Sequence, residues 1–250
     1  MASVAYSTFS SMMLQLGMDL EKLIATYHPP KKAREVIRHT NIALLVGISG
    51  AGKDTIKHQL LKRPGFGEII SHTTRAPREN EGVLEEDGVD YHFIDEKKAH
   101  DMLVKGEFVE AKFVHGTVYG TSIEEVHRAG EAGTAITDVD VQGVSEYKAV
   151  TDSVVAIFVL PPNYDEWMRR LKRRYTTDEA FLQEWPKRRD SAIKELQKAL
   201  ELPYYHCIIN DDLDRAVEAA ADIAARPDIF TRKDDEARLA ARDLLQQIAM

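Results

Sequence analysis

The chain has 250 residues, 44% of them hydrophobic and 30% charged, which suits a globular protein of one large domain with appendages or two modest ones. A formal net charge of −8 argues against a broad nucleic-acid or anionic-membrane surface, because such surfaces need cations clustered over a wide face. The single cysteine, Cys207, excludes a disulfide framework and a cysteine-rich metal site, and within His206-Cys207-Ile208-Ile209 it reads as a buried strand residue in a reducing compartment.

No run approaches the roughly 18 apolar residues of a membrane span. Residues 1–11 are serine-rich and carry no basic segment, and the next stretch is interrupted by Asp19 and Glu21, so neither a secretory leader nor a transit peptide is expected. The expected location is cytoplasmic.

Taken in order, Met12, Leu16, Leu20, Leu23, Ile24 and Tyr27 form one helical stripe that His28-Pro29-Pro30 ends. This predicts a helical extension over residues 1–40 that packs on the core or on a partner subunit, with Lys31, Lys32 and Arg34 as a solvated face. A main domain is expected over 41–225. Apolar runs at 42–46, 134–136, 154–160 and 207–209 read as short buried strands, separated by helical patterns at 54–61, 142–150 and 164–174. Such alternation predicts an α/β fold, a parallel sheet flanked by helices, with ligands at the carboxyl ends of its strands. Residues 66–133 are too long for one crossover and hold strand-like pieces at 91–94 and 108–114 and a helix near 96–105, which predicts an inserted subdomain. The polar, interrupted stretch 175–186 reads as mobile, within a lid segment over 170–190. Asn210-Asp211-Asp212-Leu213-Asp214 opens the last core helix. Beyond Arg226-Pro227-Asp228, Ala237, Ala241, Leu244, Leu245 and Ile248 predict an amphipathic tail over 226–250. The terminal helices are the candidate surfaces for a homo-oligomer.

The chemistry starts at Gly47-Ile48-Ser49-Gly50-Ala51-Gly52-Lys53-Asp54-Thr55, between the first apolar run and a helical pattern. Glycines let backbone N–H groups turn around an anion, the helix N-terminus adds its positive dipole end, and Lys53 reaches the outer phosphates. The usual phosphate-loop pattern puts Ser or Thr where Asp54 stands, so Asp54 and Thr55 are the candidate Mg²⁺ ligands. Asp138, at the end of a later apolar run, supplies a carboxylate for the same site; in isolation it also reads as a helix cap. Arg75 and Arg78, held by Pro77 in Ser71-His72-Thr73-Thr74-Arg75-Ala76-Pro77-Arg78, can fork one anion, which predicts a second phosphate site.

That stretch, together with Asp87-Gly88-Val89-Asp90-Tyr91-His92-Phe93, Gly106-Glu107-Phe108-Val109-Glu110, His115-Gly116-Thr117-Val118-Tyr119-Gly120-Thr121, Asp138-Val139-Asp140-Val141-Gln142-Gly143 and Asn210-Asp211-Asp212-Leu213-Asp214, resembles the guanylate kinases across residues 41–217. The resemblance implies transfer of the γ-phosphoryl of ATP to GMP with Mg²⁺, small-molecule partners, and no nucleic acid or membrane. It implies that Gly47, Ser49, Gly50, Ala51, Gly52, Lys53, Asp54, Thr55 and Asn210 bind ATP. It implies that Arg75, Arg78, Tyr91 and Tyr119 hold the GMP phosphate while Ser71, Glu110, Thr121 and Asp138 form the guanine pocket. Catalysis is then expected from Lys53, Arg75, Asp138 and the lid arginines Arg174 and Arg188.

The chain also departs from the pattern. Ala111 stands where the family often has Trp, the acidic loop 79–87 is about four residues longer than usual and the lid about three. Arg173-Arg174-Tyr175-Thr176 replaces the usual Gly-Arg-Gly-Thr, and Asp54, which adds negative charge beside the triphosphate, predicts a stronger dependence on Mg²⁺. Gly52-Lys53-Asp54 also resembles ribose 1,5-bisphosphate kinases, which lack the guanine-reading residues. Non-catalytic guanylate-kinase-like binding modules lose the phosphate cradle, which this chain keeps.

Overall fold

The computed structural model describes residues 19–80, 83–114, 116–226 and 232–250; Met12 and Leu16 of the N-terminal stripe lie outside them. In chain order the elements are α1 (helical residues 19–25), α2 (Lys31–His39), β1 (Asn41–Val46), α3 (Lys53–Leu61), β2 (Phe66–Glu68), β3 (His72–Thr73), β4 (Glu79–Asn80), β5 (Val83–Leu84), β6 (His92–Phe93), α4 (Glu96–Val104) and β7 (Phe108–Val114). There follow β8 (Thr117–Ser122), α5 (Ile123–Gly130), β9 (Thr134–Asp138), α6 (Val141–Val150), β10 (Val155–Leu160), α7 (Tyr164–Lys172), α8 (Asp178–Glu201), β11 (Tyr205–Ile209), α9 (Leu213–Ala225) and α10 (Arg232–Ala249). They form two compact units.

One unit comprises Asn41–Glu68 and Gly130–Met250. Its five-stranded sheet runs β11-β10-β1-β9-β2, every neighbouring pair parallel. β1 and β10 are unbroken apolar runs, and apart from Asn41 every residue in them is buried, as strands covered on both faces require. The carboxyl ends of β1, β9 and β11 deliver Gly47, Asp138 and Asn210. β2 is three residues long and carries no strand signature, yet pairs with β9 from Phe66↔Thr134 to Glu68↔Ile136.

The polar stretch expected to be mobile is helical from Asp178 onward, with Pro186 inside α8. Thr177 starts the helix by accepting from Ala180 N (3.1 Å), Asp178 and Glu179 complement its dipole, and Phe181 and Trp185 stack into an aromatic cluster with Trp167 and Tyr175. These contacts outweigh the missing proline N–H. The tail helix α10 covers the sheet edge: Asp234 Oδ1 accepts from Cys207 N (2.8 Å) and Arg238 Nη2 donates to Tyr205 O (2.6 Å). Edge groups of β11 that would otherwise offer a pairing template are thereby satisfied. Ala237, Ala241, Leu244 and Ile248 are buried. Cys207 is a buried strand residue, and burial pushes its thiol up to about 12.

The other unit comprises the residues up to Thr40 and Ile69–Ala129. Its sheet runs β6-β3-β8-β7, with β3–β6 parallel and the β3–β8 and β7–β8 pairs antiparallel. Leu20 of α1 is buried with Ala99, Met102, Leu103, Phe108 and Val118, while Leu23, Ile24 and Tyr27 pack alongside, and Tyr27 Oη donates to Phe108 O (2.7 Å). Leu20, Leu23, Ile24 and Tyr27 of the N-terminal stripe thus complete the core of this unit.

His72 sits inside that sheet, its ring 4.6 Å from that of His92 and 5.8 Å from Phe108, with Nδ1 buried and without a hydrogen-bond partner among the described residues. Burial first, then His92 and Lys98, hold its imidazole at about 4, against the opposing pull of Glu125 and Asp87. The unfolded chain takes this proton near 6.5, so between those values the unfolded state binds more protons and stability falls as pH falls. Urea unfolding is expected to show a loss of about 1–3 kcal/mol from pH 7 to pH 4.5 that His72→Phe reduces; equal losses in both proteins would contradict it.

Candidate active site

The loop after β1 is shaped by residues that have no room for side chains. Gly47 has φ 141°, and a Cβ there would run into Val159 O; Gly52 has φ 93°, and a Cβ would meet Asn210 Nδ2. The loop is braced from outside. Trp167 Nε1 donates to Ser49 O (2.8 Å), Asn210 Nδ2 donates to Ala51 O (2.8 Å), and Arg170 donates to Ala51 O (3.4 Å) and Asn210 O (3.0 Å). The loop so braced leads into the N-terminus of α3, where backbone N–H groups and the positive end of the helix dipole favour an anion. Lys53 Nζ lies across the loop on Gly47 O (2.7 Å).

Arg174 reaches this loop, with Nη1 donating to Ser49 Oγ (3.1 Å) and Nη2 3.8 Å from Asp54 Oδ2. Arg188 instead donates to Tyr175 Oη (3.1 Å). Asp54 and Thr55 are exposed in the first turn of α3. Among the described residues no group of three or more His, Cys, Asp or Glu forms a metal cage. One carboxylate and one hydroxyl beside a phosphate loop nevertheless fit Mg²⁺, which is held by few protein ligands and by substrate phosphates.

Asp138 ends β9; the cap of α6 is Asp140, which accepts from Gly143 N (2.7 Å). Asp138 is gripped by Lys57, whose Nζ lies 2.8 Å from its Oδ1 and 2.9 Å from Glu68 Oε1. Burial opposes the charged form of Asp138, but Lys57 and then Lys53 outweigh it, and the carboxyl is held below its ordinary range. Likewise Asn210 is no helix cap: Asp212 caps α9, accepting from Arg215 N (3.0 Å).

The second cluster lies in the other unit, on the sheet β6-β3-β8-β7. The β7–β8 register slips between Phe108 and Glu110, and this irregularity sets Glu110 opposite Thr121. Ser71 Oγ lies 3.4 Å from Thr121 Oγ1. Two residues along β8, Tyr119 interacts through its hydroxyl with the guanidinium of Arg75. That guanidinium also lies 5.3 Å from the ring centre of Tyr91, and the Tyr91 and Tyr119 rings stand 6.1 Å apart. Arg78 is exposed at the head of the β4–β5 hairpin. Ser71, Glu110 and Thr121 thus share this sheet with Arg75, Tyr91 and Tyr119, whereas Asp138 belongs to the phosphate-loop unit.

Sequence reasoning missed several groups. Lys57 stands one turn beyond Lys53 on α3, a spacing that was readable. Trp167 and Arg170 reach the loop from more than a hundred residues away and carry no local signal. Glu195, on α8, accepts from Ser191 Oγ (2.8 Å) and has its carboxyl pushed up by burial while facing Lys53, Asp140 and Arg188.

The guanylate kinase family model matches residues 39–226. The chain is 40% identical over 179 residues to guanylate kinase 1 of Oryza sativa subsp. japonica, covering 70% of this chain and 45% of the rice protein. It is 35% identical over 181 residues to the guanylate kinase of Neisseria gonorrhoeae, covering 72% of this chain and 84% of that protein. Against the guanylate kinase of Salinibacter ruber it is 38% identical over 181 residues, covering 71% and 92%. In fold it is similar to the crystal structure of guanylate kinase from Anaplasma phagocytophilum, with a TM-score of 0.54 at 24% identity over 77% of this chain and 88% of that one. With a braced phosphate loop in one unit, an arginine–tyrosine cluster in the other, and matching relatives over most of its length, the chain belongs to the guanylate kinase family of nucleoside monophosphate kinases.

Proposed function

We propose that this protein transfers the γ-phosphoryl group of ATP to GMP, giving ADP and GDP, in the cytoplasm. The observation that carries the acceptor's identity is the placing of Ser71, Thr121 and Glu110 next to one another on the sheet that also holds Arg75, Tyr91 and Tyr119. Guanine offers N1–H and its amino group as adjacent donors, which one carboxylate accepts as a pair. Adenine presents a lone pair at N1 and would leave Glu110 facing an acceptor, a mismatch that discriminates by about four orders of magnitude at a buried polar site.

In this reading Arg75, Arg78, Tyr91 and Tyr119 hold the GMP phosphate, and Ser71, Glu110 and Thr121 read the base. The loop from Gly47 to Gly52 cradles the ATP phosphates. Asn210 supports that loop through its amide nitrogen, and its amide oxygen serves the adenine. A phosphate oxygen of GMP bonds to the γ-phosphorus while the bond to the β,γ-bridging oxygen breaks and its electron pair leaves with ADP. The transition state is loose and its charge spreads over three equatorial oxygens, so the protein contributes alignment and cations rather than covalent help. Lys53 and Arg174 are the cations at the loop, and Arg188 is a further one on α8. Asp54 and Thr55 would hold Mg²⁺, which when bound neutralises and aligns the phosphates.

Calorimetric titration tests the acceptor reading. GMP is expected to bind saturably, with AMP and ribose 1,5-bisphosphate at least about a hundredfold weaker. Preferential binding of either competitor would refute it.

A further inference from the structure

The acidic loop before Tyr91 places one carboxylate against the arginine proposed to hold the GMP phosphate. Glu85 Oε2 lies 2.8 Å from Arg75 Nη1, and Glu85 Oε1 accepts from Arg75 Nη2 at 3.0 Å, a two-pronged contact between side chains only 10% and 11% exposed. Glu85 Oε2 also accepts from Arg78 N (2.7 Å), so one carboxylate ties together the side chain of the first arginine and the backbone of the second. Arg75 Nη1 donates in addition to Ala76 O (2.7 Å).

These bonds use one edge of the guanidinium. The other edge, formed by Nε and the remaining donor of Nη2, is turned differently: Nε is buried and has no hydrogen-bond partner among the described residues. A buried, unpaired donor is costly, and it persists where something else is meant to use it. Tyr91 and Phe93 lie toward one side of the group, their ring centres 5.3 and 5.9 Å from its central carbon and 5.9 Å from each other. The Tyr119 hydroxyl completes the surroundings. Glu85 and the Ala76 carbonyl thus hold the Nη1/Nη2 end of the guanidinium, while Nε has no hydrogen-bond partner among the described residues.

Building on the reading that Arg75 holds the acceptor phosphate, we propose that Glu85 is a positioning residue: it clamps the Nη1/Nη2 edge of Arg75 and thereby aims the Nε/Nη2 edge at the phosphate of the nucleoside monophosphate. The sign of the effect separates this from a competing role. A carboxylate near a phosphate site repels the incoming dianion, so removing its charge, by electrostatics alone, tightens binding. Removing a clamp does the reverse, because the guanidinium then rotates freely and loses the entropy advantage of a preset fork.

The test is calorimetric and kinetic titration of the wild type and Glu85→Gln with GMP and, separately, with ATP. The expected result is a KM and Kd for GMP about tenfold higher in Glu85→Gln, with the KM for ATP unchanged, as the loss of one charge-assisted pair requires. Glu85→Asp keeps the charge but withdraws the carboxylate by one methylene, and it is expected to weaken GMP as well; it carries the same comparison if the glutamine variant does not fold. Unchanged or tighter GMP binding in the variants, with a wild type that binds GMP, overturns the positioning role and leaves the acceptor reading standing. A wild type that does not bind GMP overturns both.

Discussion

Glu110→Gln is expected to lower kcat/KM for GMP by about a thousandfold while leaving the KM for ATP nearly unchanged. The amide keeps the size of the side chain but replaces one acceptor oxygen by a donor, which then faces a donor of guanine. One hydrogen bond is lost and one donor pair is left opposed, and a mismatch of that kind costs more than a missing contact. The register irregularity in β7 holds Glu110 opposite Thr121, so the strand does not simply turn the amide elsewhere. Steady-state kinetics with GMP varied at saturating ATP measures the effect. A loss under threefold would mean that Glu110 does not read the base.

Lys53→Met is expected to reduce kcat by about a thousandfold with a smaller rise in the KM for ATP. Its ammonium, resting on Gly47 O (2.7 Å), is pre-placed across the loop, and its charge is needed most when the outer phosphate oxygens carry the transferring group's negative charge. Because Trp167, Asn210 and Arg170 brace the loop through Ser49 and Ala51, the cradle itself is expected to survive the substitution. A thermal midpoint close to wild type, measured by calorimetry, checks that the loss is chemical rather than structural.

The parts of the molecule that could be read from sequence are those whose causes are local. The loop at Gly47 is contiguous with the strand and helix that shape it, and two-sided burial writes β1 and β10 as apolar runs. The parts that could not be read depend on distant partners. β2 has three residues and exists because β9 offers it a ladder. The helical start at Asp178 did carry a local cap in Thr177, but polar composition and Pro186 masked it; the aromatic packing of Phe181, Trp185 and Trp167 decided the outcome. In the candidate site, the residues proposed to meet the ligands were nameable because motifs carry them. The residues that hold those in place, Lys57 on Asp138, Arg170 on Ala51 and Glu85 on Arg75, form pairs that only the fold brings together.

Arg174 and Arg188, the two arginines proposed for a lid, differ in place. Arg174 is at the loop, within 3.1 Å of Ser49 Oγ, while Arg188 is turned to Tyr175. Asp54 also has a partner other than a metal, since Arg174 stands 3.8 Å away. Both side chains are about half exposed, so their attraction is worth little by itself.

The most direct test of the account is a phosphoryl-transfer assay with ATP and Mg²⁺ in which GMP, AMP, CMP, UMP and ribose 1,5-bisphosphate are offered in turn and ADP is measured. The account predicts ADP formation with GMP at least about a thousandfold faster than with any of the others. ADP formation with another acceptor and none with GMP would contradict it.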